Sequence, residues 1–148
     1  MSRSSFISQN GINALPLILI IEDDDDTRVM MRYLLNLWGY QVLEAVDGEE
    51  GLQMAEDLQP EIILMDYSLP KIDGLTATKR IREMAKHDKT SIIFISAFSE
   101  ATVRVSALAS GANDFLLKPI DFGELEESLN THFENNYRQE TTLFGGAL

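Results

Sequence analysis

The sequence predicts an α/β fold in which helices cover both faces of a parallel sheet of five strands. Short apolar runs recur along the chain without polar alternation, which is typical of strands buried on both faces. Stretches with the apolar period of an amphipathic helix separate these runs. Because right-handed crossovers place successive helices on the two faces of such a sheet, we predict a doubly wound (βα)5 domain.

Five segments are predicted to form the strands of this sheet. Four of them are apolar runs, each followed by a polar or charged residue. The other segment, residues 40–45, mixes aromatic, β-branched and polar side chains and is predicted to be the second strand. We predict the flavodoxin-like strand order 2-1-3-4-5, in which the order reverses between the first and third strands. The apolar runs are residues 17–21, 61–65, 91–95 and 115–117.

Capping residues set the bounds predicted for the helices. Asp25 or Asp26 is expected to be the N-cap of the first helix. Asp47 and Glu50 form a capping-box pattern at the start of the second helix. The helices are predicted at residues 27–38, 47–58, 73–85 and 100–110, with the last one starting within residues 121–124.

Apolar residues three or four positions apart predict which face of each helix lies on the sheet. The residues on these faces are Met30, Leu34 and Trp38 in the first helix, Leu52, Ala55 and Leu58 in the second, Ala77, Ile81, Met84 and Ala85 in the third, and Leu125, Leu129 and Phe133 in the last. The helix at residues 100–110 contains several β-branched side chains, which lower its intrinsic propensity. We therefore expect its packing to be the easiest to shift.

The chain is predicted to be one domain with two flanking segments. Its 148 residues, of which 45% are hydrophobic, are sufficient for a single core. Residues 1–15 are rich in Ser, Asn and Gln and are predicted to be an N-terminal extension. Residues 16–134 are predicted to form the folded domain, and residues 135–148 a C-terminal tail.

Charge and composition exclude several classes of function. The 24 acidic residues outnumber the 12 basic residues, so a chain of net charge −12 has no basic field for direct binding of nucleic acid. The absence of cysteine excludes disulfides, thiol nucleophiles and thiolate metal ligands. No run approaches the roughly 20 apolar residues that span a membrane. With no export signal either, we expect a soluble, cytoplasmic protein.

Groups that suit a metal ion and a phosphoryl group follow four of the predicted strands. The acidic run of residues 22–26 follows the first strand, Asp66 the third, Ser96 the fourth and Lys118 the fifth. Because neighbouring parallel strands lie roughly 5 Å apart, residues at their carboxyl ends can converge on one small ligand. The set predicts a divalent cation bound by carboxylates beside a phosphoryl group.

In these residues the chain resembles the receiver domain of two-component response regulators, and the match runs from about residue 17 to residue 133. A chance match to one of its motifs is common, whereas all of them in order and at suitable intervals are specific. The resemblance implies a stand-alone, single-domain response regulator. The matching motifs are Glu22-Asp23, Asp66 with Leu69-Pro70 and Asp73-Gly74, Ser96-Ala97, and Lys118-Pro119.

The resemblance implies that Asp66 is the phosphoacceptor. It would take a phosphoryl group from a histidine kinase or a histidine phosphotransfer protein in a Mg²⁺-dependent reaction. Asp23 and Asp66 would bind Mg²⁺ directly, the Ser68 carbonyl would be a third ligand, and Glu22 would act through a water molecule. Lys118 would pair with the phosphoryl oxygens.

The resemblance also implies a switch that involves Ser96 and Phe115. The Ser96 hydroxyl would donate to the acyl phosphate, and the Phe115 ring would turn with it. The changed surface would control the binding of a downstream protein partner, and a homodimer is a further option. Enzymatic activity would be limited to self-phosphorylation and self-dephosphorylation. The Lys118–Pro119 peptide bond is expected to be cis.

Three other functions remain open at this point. The first is a receiver-like module that binds partners without phosphorylation, although the intact site residues argue against it. The second is a metal-dependent phosphatase of the haloacid dehalogenase type, which has an acid two residues after its nucleophile, where this chain has Ser68. The third is a flavin binder of the same architecture, which needs amides and hydroxyls after the first strand, where this chain has acids.

Overall fold

The computed structural model describes residues 16–87 and 89–145, so the predicted N-terminal extension lies outside the described residues. Its five strands form one parallel sheet in the order β2-β1-β3-β4-β5, which confirms the predicted fold and strand order. The strands are β1 (Leu17–Ile21), β2 (Gln41–Ala45), β3 (Ile62–Asp66), β4 (Ser91–Ser96) and β5 (Asp114–Leu117).

A helix follows each strand, and a short 3-10 helix, Ala85–His87, precedes β4. The last helix continues beyond residue 134, so the backbone of the predicted C-terminal tail is helical as far as Gly145. Within the described part of the chain, no helix is both long enough and apolar enough to cross a membrane. The helices are α1 (Asp25–Leu37), α2 (Gly48–Leu58), α3 (Gly74–Glu83), α4 (Ala101–Ser110) and α5 (Phe122–Gly145).

The sheet separates two apolar cores. Ile18 and Ile20 of β1 pack with α1 and α5 on one face. Leu19 and Ile21 pack with α2, α3 and α4 on the other. Because successive strand residues point to opposite faces, burial of both faces explains why these strands lack polar alternation.

Asp24 is the N-cap of α1, so the prediction of Asp25 or Asp26 is wrong. The Asp24 carboxylate accepts hydrogen bonds from the backbone amide of Thr27, at 2.8 Å, and from its hydroxyl, at 2.6 Å. An N-cap side chain accepts from the amide of the second or third helical residue, and α1 begins at Asp25. Asp25 pairs instead with Arg28, at 2.5 Å.

Predictions for three helices differ from the structure. In α1, Met31 and Leu35 are fully buried, whereas Met30 is 38% exposed. Both adjacent arcs of this helix are apolar, so the spacing alone does not select between them. The third helix ends at Glu83, so Met84 and Ala85 lie beyond its last residue. Leu58, at the end of α2, is also exposed.

Candidate functional site

Three carboxylates meet at the carboxyl end of the sheet, where the strand order reverses between β1 and β3. Glu22 and Asp23 follow β1, and Asp66 is the last residue of β3, which lies directly beside β1. One carboxylate oxygen from each of these residues lies within 4.8 Å of the others. The predicted convergence of Glu22, Asp23 and Asp66 is therefore found in the structure.

The ammonium group of Lys118 reaches this carboxylate cluster from the end of β5. Its Nζ lies 2.8 Å from Glu22 Oε1 and 3.2 Å from Asp66 Oδ1. Glu22 is 1% exposed and Asp66 is 5% exposed, so the ammonium compensates two charges that are nearly removed from water. The Lys118–Pro119 peptide bond is cis, as predicted.

Glu22 is held in place by backbone contacts and by one residue that the sequence analysis missed. Its amide donates to Ala45 O of the neighbouring strand, and its Oε2 accepts from the amide of Asp24. The Arg28 guanidinium donates to Glu22 O at 2.9 Å. A basic residue one turn into the helix that follows an acidic strand end is the sequence pattern that could have identified Arg28.

Asp66 pairs with Ile95 of the neighbouring strand β4, so Ser96 lies one residue beyond the position opposite Asp66. The Ser96 side chain is fully buried, and its hydroxyl accepts from the amide of Phe98 at 2.9 Å and donates to Phe98 O at 3.3 Å. The hydroxyl is thus engaged with the loop after β4. Its role toward a phosphoryl group stays a prediction.

Phe115 is a core residue in this structure. The residue is 7% exposed and packs in the core formed by α2, α3 and α4. The guanidinium carbon of Arg104, on α4, lies 5.8 Å from the centroid of the ring, within the range of a cation–π contact. The ring therefore contacts the helix expected to shift most easily, while the switching role of Phe115 stays a prediction.

Ser68 lies in the loop between β3 and α3, which borders an open groove of about 440 Å³ beside the carboxylates. Ser68 and Asp23 both line this groove, so the structure brings the fourth predicted metal-binding residue to the same place. The other lining residues are Tyr67, Leu69, Pro70, Asp73 and Leu75.

Burial and charge alter proton binding at the site. Burial raises the pKa of Asp66 to about 7, and the neighbouring Glu22 carboxylate adds to the effect. Burial alone would lower the pKa of Lys118, but the contacts with Glu22 and Asp66 outweigh it, so the pKa of this ammonium is raised. Lys118 is accordingly charged at neutral pH, whereas Asp66 is close to its titration midpoint when no metal ion is bound.

The raised pKa of Asp66 makes the stability of the metal-free protein depend on pH. In the folded protein Asp66 keeps its proton up to about pH 7, whereas in the unfolded chain it loses the proton near pH 3.8. This contribution is fully present below about pH 4 and is lost as the pH rises through about 7. Asp66→Asn lacks this titrating group. In metal-free protein, we therefore expect the stability difference between the variant and wild type to shift by about 2–3 kcal/mol in favour of the variant from about pH 5 to pH 8.

Urea unfolding of wild type and Asp66→Asn in EDTA measures this difference at the two pH values. The comparison cancels titrating groups that the two proteins share. A stability difference that is the same at both pH values would contradict the raised pKa of Asp66.

The cluster has the donor chemistry of a site for a hard divalent cation. Its side chains offer only carboxylate oxygens, which Mg²⁺ and Ca²⁺ prefer. When all groups are ionised, three carboxylates and the Lys118 ammonium leave two net negative charges. Glu22, Asp23 and Asp66 therefore fit a doubly charged ion in both donor type and charge.

The sequence profile described as the response regulator receiver domain matches residues 18–130. The chain is 36% identical over 111 residues to the DNA-binding dual master transcriptional regulator RpaA of Synechocystis, a match that covers 75% of this chain and 46% of RpaA. It is also 36% identical over 108 residues to a 14.6 kDa protein of Leptolyngbya boryana, covering 73% and 82% of the two chains. The chain spans only part of the longer curated regulators that it matches: the alignments cover 46% of RpaA and 24% and 55% of two further regulators.

Solved receiver structures share the fold. The receiver domain of a sensor histidine kinase from Pseudomonas aeruginosa, with a magnesium ion coordinated in its active-site cleft, superposes with a TM-score of 0.75 at 33% identity. That alignment covers 80% of this chain and 97% of the other. The Vibrio cholerae chemotaxis protein CheY4 gives a TM-score of 0.76 at 26% identity and covers 80% and 98%. Together, the profile match and these relatives show that the chain belongs to the response regulator receiver domain family.

Proposed function

We propose that this receiver domain is a signalling switch in which Asp66 accepts a phosphoryl group from a histidine kinase or a histidine phosphotransfer protein. The observation that carries the proposal is the position of Asp66, a buried carboxylate in contact with Lys118 and grouped with two other acids. Such a site combines a nucleophile with a cation that can stabilise phosphoryl oxygens.

Each group of the site has a separate task in this reaction. A carboxylate oxygen of Asp66 forms an O–P bond as the P–N bond to the donor histidine breaks, and the imidazole leaves with the bonding electrons. The Lys118 ammonium exchanges its contact with Asp66 for the phosphoryl oxygens. Self-dephosphorylation by water would return Asp66 to its starting state, and we propose no other enzymatic activity.

Mg²⁺ is the proposed cofactor. Asp23, Asp66 and the Ser68 carbonyl would bind it directly, and Glu22 would act through a water molecule. When bound, it supplies positive charge that favours ionised carboxylates and stabilises phosphoryl oxygens. The oxygen donors of the cluster and the position of Ser68 on the same groove as Asp23 support this assignment.

The proposed output is a change in the surface that a downstream protein recognises. A phosphoryl oxygen is a charged acceptor, so the Ser96 hydroxyl would exchange its 3.3 Å contact with Phe98 O for it. Phe115 would then occupy the vacated space and alter the position of Arg104 and α4. A tenfold preference of the partner for one state needs only about 1.4 kcal/mol.

Intact mass spectrometry after incubation with acetyl phosphate tests the phosphoacceptor function. We expect the protein to gain the mass of one phosphoryl group in Mg²⁺ and none in EDTA. A phosphorylated histidine phosphotransfer protein, used as the donor in a second arm, tests the proposed class of partner. The absence of modification from both donors, or sustained turnover of a general phosphatase substrate, would overturn the proposal.

Asp23→Asn is expected to weaken Mg²⁺ binding by about tenfold, which corresponds to about 1.4 kcal/mol. The substitution replaces a charged oxygen ligand by a neutral amide, and exposure of Asp23 to solvent limits the loss. Calorimetric titration with MgCl₂ measures the change. Asp26→Asn, which removes the same charge from the same acidic run, is the matched control and should retain wild-type affinity. Equal affinities of both variants would refute the role of Asp23 as a ligand.

A further inference from the structure

We propose that the start of α2 positions the metal-binding loop between β3 and α3, and that Asp47, Gly48 and Lys71 are therefore positioning residues for the metal. This inference rests on the proposed function, because it concerns the Ser68 carbonyl of that loop. The loop comprises residues 67–73 and is called the β3–α3 loop below.

The first contact is a close approach of two backbones. A Cβ atom built on Gly48 would lie 2.0 Å from Ile72 O, far inside any permitted contact. The amide of Gly48 also points to Pro70 O, at 3.5 Å. Glycine is thus the one residue type that lets the β3–α3 loop rest directly on the first residue of α2.

The second contact joins Lys71 to the helix cap. Lys71 has a φ of 69°, a left-handed conformation that is uncommon for residues with a side chain. Its Nζ lies 3.3 Å from Oδ2 of Asp47. The other oxygen of Asp47 accepts from the amide of Glu50 at 2.8 Å, so the cap of α2 fixes the carboxylate that holds Lys71.

The base of the β3–α3 loop is closed as well. The amide of Gly74 donates to Tyr67 O at 3.2 Å, and a Cβ on Gly74 would lie 2.5 Å from Asp66 O. The loop is therefore fixed where it leaves β3 and again where it touches α2. Ser68 lies between these two points and lines the groove that contains Asp23.

Neither neighbouring helix needs these contacts in order to form. The Asp47 carboxylate caps α2 through Glu50, and Asp73 caps α3 through the amide of Thr76 at 2.8 Å. What Gly48 and Lys71 add is a fixed distance between α2 and the loop. Substitution of residues that hold a metal ligand in its position commonly lowers metal affinity by about 10–100-fold.

Gly48→Ala tests the close approach. We expect Mg²⁺ affinity to fall by about tenfold because the new methyl group displaces Ile72 and, with it, the Ser68 carbonyl. Alanine favours helix formation, so α2 itself should be retained. Gly123→Ala is the matched control, since it lies in the first turn of α5 and its Cβ would come no closer than 3.2 Å to Asp121 Oδ1. Calorimetric Mg²⁺ titration and circular dichroism are measured on both variants.

Asp47→Asn and Lys71→Met separate positioning from simple electrostatics. Asparagine is as good an N-cap as aspartate, and methionine keeps most of the lysine stem. If the ion pair positions the loop, both variants bind Mg²⁺ more weakly, because either one releases Lys71, and the effect should be about threefold since the Lys71 side chain is largely exposed. If only long-range charge matters, loss of the acid weakens Mg²⁺ binding and loss of the base strengthens it.

The outcomes distinguish this inference from the proposed function. Wild-type protein that binds no Mg²⁺ would overturn the proposed function itself. Wild-type binding that Gly48→Ala leaves unchanged, or opposite shifts for Asp47→Asn and Lys71→Met, would overturn only the positioning role. Weaker Mg²⁺ binding in all three variants, with the control unchanged and the fold intact, would support it.

Discussion

Asp66→Asn is expected to take up no phosphoryl group under conditions that modify the wild-type protein stoichiometrically. Asparagine nearly preserves the shape of the side chain but replaces the nucleophilic carboxylate by an amide. Asp66 is the acid at the end of β3 that contacts Lys118 and is almost completely buried. Removal of this one oxygen nucleophile should abolish the reaction, because phosphoryl transfer depends on a correctly positioned attacking group.

Intact mass after incubation with acetyl phosphate and Mg²⁺ measures this loss. Asp26→Asn serves as the control and should be modified as fast as wild type, because Asp26 lies outside the carboxylate cluster. Circular dichroism verifies that both variants are folded. A full mass gain in Asp66→Asn would transfer the role of phosphoacceptor to another acid, with Asp23 the first candidate.

The sheet and the position of the site were predictable from local patterns. An unbroken apolar run predicts a strand buried on both faces, and parallel strands end at a common edge. The residue that follows each run therefore belongs to that edge, which is how Glu22, Asp66 and Lys118 could be grouped without a structure. At this edge Lys118 Nζ lies 2.8 Å from Glu22 Oε1 and 3.2 Å from Asp66 Oδ1.

Details that depend on a choice between equivalent local patterns were not predictable. Three successive acids, Asp24, Asp25 and Asp26, could each cap α1, and the backbone selects Asp24. Likewise, α1 has apolar residues on two adjacent arcs, and only packing against the sheet places Met31 rather than Met30 inside. In both cases the competing options have similar local free energies, so tertiary contacts decide.

Contacts between distant segments leave even less of a signal in the sequence. Arg82 donates from α3 to Gly111 O at 2.8 Å, to Thr90 O at 2.8 Å and to Asn113 Oδ1 at 2.6 Å. No sequence pattern around Lys71 predicts its left-handed backbone conformation or its ion pair with Asp47. Such contacts depend on where chain segments meet, which periodicity does not encode.

The state of Ser96 also bears on how the proposed switch would work. Its hydroxyl already has a donor and an acceptor in the backbone of Phe98, so the hydrogen-bonding capacity of Ser96 is satisfied before phosphorylation. Movement toward Asp66 would give up both contacts. A charged phosphoryl oxygen is a stronger acceptor than a carbonyl, so in the proposed switch the exchange would be favoured only in the phosphorylated state.

Lys118→Met is expected to have three effects that together define the role of the ammonium. The first is a loss of about 2–3 kcal/mol of stability in the metal-free protein near pH 8. Glu22 and Asp66 would lose their shared cation while remaining almost completely buried. The loss is smaller than for a fully enclosed ion pair, because the Lys118 side chain is 24% exposed and Asp66 can take up a proton.

The second and third effects have opposite signs. Mg²⁺ should bind more tightly to Lys118→Met, because a positive charge next to the carboxylates has been removed, and saturating Mg²⁺ should restore much of the lost stability. Phosphorylation at saturating Mg²⁺ should nevertheless slow by about a hundredfold or more. Removal of one group that stabilises developing negative charge commonly costs about 10²–10³ in rate.

Urea unfolding, calorimetric Mg²⁺ titration and the rate of mass gain from acetyl phosphate measure these effects separately. Lys79→Met, at an exposed position on α3, is the matched control and should behave as wild type in all three. Weaker Mg²⁺ binding by Lys118→Met would indicate that the ammonium organises the carboxylates rather than competing with the ion. An unchanged phosphorylation rate at saturating Mg²⁺ would contradict its proposed contact with the phosphoryl oxygens, since the tighter metal site alone cannot replace that charge.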